Sequence, residues 1–133
     1  MIAIDTNILV RILVEDAGAP EQTAAAYQLV KDANTVFVPQ LVQAELVWVL
    51  QRAYQFDKSE ILLILETLKS NPAYQLQHRE SFLQALERFK SSNAGFADAL
   101  IAVESRNEHK TLWTFDKKLS KQEGVSLLTT IGD

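Results

Sequence analysis

The chain has no cysteine, and that one absence removes two classes of protein. Neither a disulfide framework nor a thiolate metal centre can be built, and the composition suits a reducing compartment. Long apolar stretches are missing too. The longest uninterrupted runs, Ile61 to Leu65 among them, fall far short of the roughly 20 residues that span a bilayer. Met1 leads directly into a short apolar run without a basic region or a long hydrophobic segment, so no secretory signal is read. No repeat, linker or low-complexity tract interrupts a chain that is 47% hydrophobic and 23% charged, which is globular composition. The expectation is a soluble cytoplasmic protein without a membrane partner, folded as one domain over residues 1–133.

An excess of positive charge is also lacking. Lys and Arg number 13 against 17 Asp and Glu, a net charge of −4, which argues against a broad electrostatic surface for nucleic acid. It does not exclude a nuclease whose own acids are neutralised by metal, because a local basic rim can still guide a phosphate backbone. Several catalytic signatures are missing as well: there is no P-loop, no G-x-G-x-x-G after a strand, no G-x-S-x-G elbow and no H-E-x-x-H. His78 and His109 stand alone in polar stretches and read as ordinary surface residues.

What is present is organised around Met1 to Asn7, M-I-A-I-D-T-N. A short apolar run rich in β-branched residues that stops at Asp5, before a helical pattern over Ile8 to Val14, reads as a buried strand delivering a carboxylate to its C-terminal edge. In open α/β sheets that edge is where ligands bind. Asp5 equally suits capping of the following helix.

Further along, Pro20 fits a first-turn proline and Glu21 to Asp32 carries a helical pattern. Val36 to Val38 reads as a strand closed by Pro39. Gln40 to Arg52 is a helix apolar nearly all round and so expected to be buried. Glu45 lies in its middle, where an unpartnered acid is costly. Either a metal or an arginine would meet that need. Lys58 to Lys69 is a helix whose five consecutive apolar residues cannot all face one core, and the surplus suggests a partner. Tyr74 to Leu76 is a weak strand, and Glu80 to Lys90 is an amphipathic helix with Phe82, Leu83, Leu86 and Phe89 directed to a core.

Ser92 and Asn93 are candidate caps for a helix from Phe96 to Arg106, in which Asp98 sits among apolar residues. Thr111 to Phe115 is a strand with Asp116 at its end, repeating the placement of Asp5. The alternative for Asp116 is again a cap, here of a helix over Lys117 to Gln122. Val125 to Leu128 supplies a last strand. The order β-α-α-β-α-α-β-α-α-β-α-β predicts an α/β fold with parallel strands and helices on both faces. An acidic cluster without cysteine or paired histidine suits hard cations such as Mg²⁺ and Mn²⁺ and disfavours zinc.

At D-T-N from Asp5 to Asn7, Glu45, F-A-D-A-L-I-A around Asp98 and T-F-D-K-K-L around Asp116, the chain resembles the PIN-domain ribonucleases, and within them the VapC-type toxins of toxin-antitoxin pairs. The ordered set spans the chain from end to end. The resemblance implies an α/β/α sandwich with a central, mainly parallel sheet of four to five short strands. It implies an endoribonuclease whose acidic quartet, Asp5, Glu45, Asp98 and Asp116, holds Mg²⁺ or Mn²⁺ and is catalytic. Thr6, Asn7 and Thr114 would support the acids, and Arg11 and Lys117 are candidates for RNA contact. Its partners would be an RNA substrate, a cognate antitoxin from a neighbouring gene and a second copy in a homodimer. One departure is Gly95, where many relatives have an Asp. Competing readings are a non-catalytic PIN-like binding module and an aspartate-based phosphatase, whose second Asp is here Asn7.

Overall fold

Three short strands and the helices between them build the first part of the molecule. In the computed structural model, which describes residues 1–131, the chain divides into two units, Met1–Arg79 and Glu80 onward. The first unit runs β1 (Ile2–Ala3), α1 (Thr6–Leu13), α2 (Pro20–Ala33), β2 (Val36–Val38), α3 (Gln40–Arg52), α4 (Lys58–Ser70) and β3 (Tyr74–Leu76). Its strands form a parallel ladder in the order β1-β2-β3, with Ile2 opposite Val36 and Val38 opposite Leu76. β2 is the middle strand, and Val36 and Val38 are completely buried. Leu9 of α1, Leu46 and Leu50 of α3, and Leu65 and Leu68 of α4 are likewise fully buried.

The helix ends follow local chemistry. Pro20 opens α2 in its first turn, where a missing N–H costs nothing. Asp57 and Glu60 form a reciprocal capping box that starts α4. α3 follows Pro39, which offers no side-chain cap. Its first N–H, that of Gln40, instead donates 2.9 Å to Oε1 of Gln77 beyond β3. Gln43, fully buried, donates from Nε2 to the carbonyl oxygens of Val38 and Gln77 at 3.2 and 2.9 Å. Two glutamines thus tie the start of α3 to the C-terminal ends of β2 and β3.

The second unit contains α5 (Arg79–Ser91, beginning at the boundary), α6 (Phe96–Asn107), β4 (Leu112–Thr114), a single 3-10 turn (Leu119–Lys121) and β5 (Val125–Leu127). β4 and β5 pair in parallel, Thr114 opposite Leu127. Phe82 and Phe89 of α5 meet Phe96 of α6 edge to face, with centroids 5.8 and 5.9 Å apart, the arrangement that aromatic quadrupoles favour. This is the core role read for the α5 stripe.

The five strands expected are found among the described residues, all parallel, in ladders of three and two; each is only two or three residues long. The helix expected over Lys117 to Gln122 is one 3-10 turn, because the chain turns extended again at Gln122. α3 is not apolar all round in its burial: Leu41 and Trp48 are exposed, whereas polar Gln43 is inside. His78 and His109 lie on the surface with left-handed backbone. Among the described residues no helix is long and apolar enough to cross a membrane.

Candidate active site

Within the first unit, Asp5 leaves β1 and becomes the N-cap of α1. Its Oδ1 accepts a hydrogen bond from the N–H of Ile8 at 3.1 Å, so the capping role is real. That bond occupies one carboxylate oxygen. An exposed Asp has lone pairs left for a cation. Thr6, the next residue, donates from Oγ1 to Oε1 of Glu45 at 3.0 Å, joining the start of α1 to the middle of α3. Glu45 is half-buried. Its partner is therefore a hydroxyl, and the arginine alternative is not what this unit contains.

Asn7 is exposed and lines a pocket of about 300 Å³ beside Asp5, together with Ile8, Arg11, Gln22 and Leu29. Arg11 is less free than an RNA-contact role assumes. Its Nε donates 2.9 Å to Oε1 of Gln22, and its NH1 donates 2.9 Å to the Tyr54 hydroxyl and lies 3.6 Å from Asp16 Oδ2. Tyr54 in turn donates to Asp16 at 2.9 Å. The N–H of Gly18, the Tyr54 hydroxyl and the Arg11 charge, in that order, hold Asp16 below the usual carboxylate range. Burial first, and the bond to Asp16 second, push Tyr54 up. The guanidinium is thus fixed at the pocket rim by a network rather than left loose in solvent.

In the second unit, Gly95 is the N-cap of α6 and brings no side-chain bond. Ser92 and Asn93 do not cap this helix, contrary to expectation, since the Ser92 hydroxyl donates to the Arg88 carbonyl at 2.7 Å and so closes α5 instead. Asp98 lies in the first turn of α6 and is half-buried. Burial, and secondly the negative charge of Asp116, raise its pKa. Asp116 follows β4 and caps the 3-10 turn, its Oδ1 accepting from Lys118 and Leu119 N–H at 2.8 and 3.2 Å. Oγ1 of Thr114 accepts from the Asp116 N–H at 3.0 Å. Lys117 is exposed beside it.

Each unit therefore presents two acids, one at a strand end and one on a helix. Among the described residues no group of three or more acids and histidines forms a metal cage. Mg²⁺ does not require one, because it is commonly held by one or two carboxylates with waters and substrate phosphate. The donors present fit such an ion: all are oxygens, and the mutual repulsion of Asp98 and Asp116 is the kind that a cation relieves. The reading from sequence did not foresee Gln43 and Gln77, which position the helix bearing Glu45. Only the oddity of a glutamine two residues before a helical acid could have hinted at it.

Parallel strands joined by helices, with acids after β1 and β4, define an α/β domain. A profile of the PIN domain matches residues 2–125, and the chain belongs to that family. It is also similar to a protein named VapC ribonuclease from Aquifex aeolicus (strain VF5), at 22% identity over 120 residues, 89% of each chain.

Proposed function

We propose that this chain is a Mg²⁺- or Mn²⁺-dependent endoribonuclease that hydrolyses RNA phosphodiester bonds as the toxin of a toxin-antitoxin pair. The observation that carries the reading is the acid Asp116 acting on Asp98 in the second unit, with Glu45 held by Thr6, the residue after Asp5, in the first, within one family match that runs through both units. That continuous match also supports taking residues 1–133 as one PIN domain. Likeness to a protein named VapC ribonuclease supports the toxin role.

Asp5, Glu45, Asp98 and Asp116 would hold the ion, with Asp5 and Asp98 as principal ligands. When bound, a divalent cation stabilises charge developing on phosphate and eases deprotonation of an attacking water. Thr6 fixes the Glu45 carboxylate by its hydroxyl, and Thr114 fixes the turn bearing Asp116. Burial and the charge of Asp116 raise the pKa of Asp98, and a bound cation would oppose both effects. Lys117 and the fixed Arg11 supply positive charge for the RNA backbone.

A homodimer and an antitoxin helix are both supported by exposed Leu41 and Trp48 on α3 and Leu63 on α4, since apolar surface on paired helices favours helical partners. A cytoplasmic setting fits a cysteine-free chain. The second reading, a non-catalytic PIN-like module, draws on one observation: Asp5 and Asp116 both cap local structure and would be retained without chemistry.

The deciding experiment is RNA cleavage by the purified protein with Mg²⁺ or Mn²⁺ against chelator, in wild type and in Asp5→Asn and Asp98→Asn. The nuclease reading expects cleavage only with metal and none in either variant; retained cleavage in both variants would overturn the site. Growth arrest on expression, relieved by the product of the neighbouring gene, tests the toxin role.

A further inference from the structure

The second unit carries another polar pocket, of about 260 Å³, away from the strand-end acids. Arg88 of α5, Arg106 of α6 and Lys121 line it, with Ser91, Gln122 and Glu123. Three cations thus face one carboxylate in a chain whose net charge is −4. Arg106 NH2 lies 3.0 Å from Glu123 Oε1. Arg88 NH1 donates to Gln122 Oε1 at 3.1 Å and to the Glu123 carbonyl at 3.4 Å.

That last arrangement fixes how Gln122 is turned. Its oxygen faces Arg88, so the amide nitrogen Nε2 points elsewhere, and it is buried without a hydrogen-bond partner. A buried donor left unmade is costly and calls for an acceptor. Burial and the neighbouring Arg106 also lower the Arg88 pKa, with Glu123 only partly opposing them. What suits the three cations is an anion with several acceptor oxygens, able to meet guanidinium and ammonium donors together. Phosphate has that chemistry.

The position is informative. Asp98 is in the first turn of α6 and Arg106 in its last, about 12 Å apart along the axis at 1.5 Å per residue. Gln122 precedes β5, while Asp116 follows its parallel neighbour β4. The pocket therefore lies at the opposite end of this unit from Asp98 and Asp116.

We propose that this pocket is a phosphate subsite that grips the RNA backbone at a distance from the scissile bond, a role that rests on the ribonuclease reading. It gives an acidic protein a local hold on a polyanion in addition to the charge of Lys117 and Arg11 near the acids.

The test is equilibrium binding of a short labelled single-stranded RNA in chelator across a salt series. Arg106→Gln combined with Lys121→Gln should weaken binding by about tenfold or more, as loss of charge-assisted bonds does. It should also flatten the salt dependence by roughly 0.7 in log–log slope for each phosphate that the protein no longer neutralises. Gln122→Leu removes the acceptor that orients Arg88 without altering charge, so affinity falls while the slope stays. Cleavage of a dinucleotide too short to reach the pocket should remain at the wild-type rate in all these variants. Circular dichroism verifies their fold, and Lys121→Gln alone, at an exposed residue, serves if the others unfold.

Wild-type affinity and slope in the folded variants would overturn the subsite while leaving the nuclease intact. If inorganic phosphate raises the wild-type Tm but not that of the double variant, and RNA affinity is identical in both, the pocket takes a small anion and the RNA assignment is wrong. A wild-type protein that neither binds RNA nor cleaves it with metal defeats the ribonuclease reading, and this subsite with it.

Discussion

Asp98 and Asp116 are close enough for one charge to raise the other's pKa, and Asp98 also loses solvation through burial. Both effects favour a neutral side chain when no cation is present. Asp98→Asn should therefore abolish metal-dependent RNA cleavage while leaving the Tm in chelator unchanged or higher. A lower Tm in chelator would mean that Asp98 is retained for structure. Asp16 is the opposite case. Its carboxylate accepts from Gly18 and Tyr54 and faces Arg11, so its folded pKa lies below the ordinary value of 3.8. A depressed carboxylate stabilises the fold above its unfolded pKa, and that contribution is lost as pH falls through the folded one. The Tm advantage of wild type over Asp16→Asn should hold steady from neutral pH to about pH 4 and shrink below it. An advantage that persists unchanged at lower pH would show that the Arg11 network does not depend on this charge.

At the scale of elements, the exposed part of α4 is narrower than five consecutive apolar residues suggest. Ile61 and Leu65 are buried, while Leu63 is 72% exposed. Leu63→Lys should leave stability within about 0.5 kcal/mol of wild type. Leu65→Lys should destabilise the fold severely, since it places a charge where the protein is dry. If α3 and α4 carry the dimer contact, light scattering will find Leu63→Lys folded and monomeric where wild type is dimeric; a wild-type protein that is already monomeric removes that contact. The bounds of β2, α3 and β3 were legible in the sequence, because Pro39 and Pro72 punctuate them and the residues of β2 are β-branched or aromatic. The placement of each acid at a strand end or within a helix was legible for the same reason. Burial was less so: Trp48 and Leu41 look like core residues, and Gln43 does not, because its partners Val38 and Gln77 belong to other elements. The cluster of Arg88, Arg106 and Lys121 was invisible because only folding brings residues so far apart in sequence to one pocket.

At the scale of the whole molecule, stability and function meet at the proposed ion. Acids kept for a cation would burden the metal-free protein and favour the loaded one, since a ligand that binds only the native state stabilises it by an amount that grows with the logarithm of its concentration above its dissociation constant. With Mg²⁺ at 100 times its dissociation constant the gain is about 2.7 kcal/mol, which raises the Tm of a domain of this size by roughly 5 to 10 °C. Glu45→Gln should reduce that rise, because the Thr6 hydroxyl would then face an amide in place of an anionic ligand, and Asp98→Asn should remove most of it. Glu45→Leu should show a smaller rise again but a chelator baseline at or above wild type, since an apolar side chain replaces a half-buried acid. Calorimetric scans of the four proteins, with Mg²⁺ and with chelator, separate these effects. Equal Mg²⁺-dependent rises in wild type and Asp98→Asn would mean that any ion bound is held elsewhere. A collapse of Glu45→Leu in chelator would mean that the bond from Thr6 holds α1 to α3 and that Glu45 serves the fold before it serves a metal.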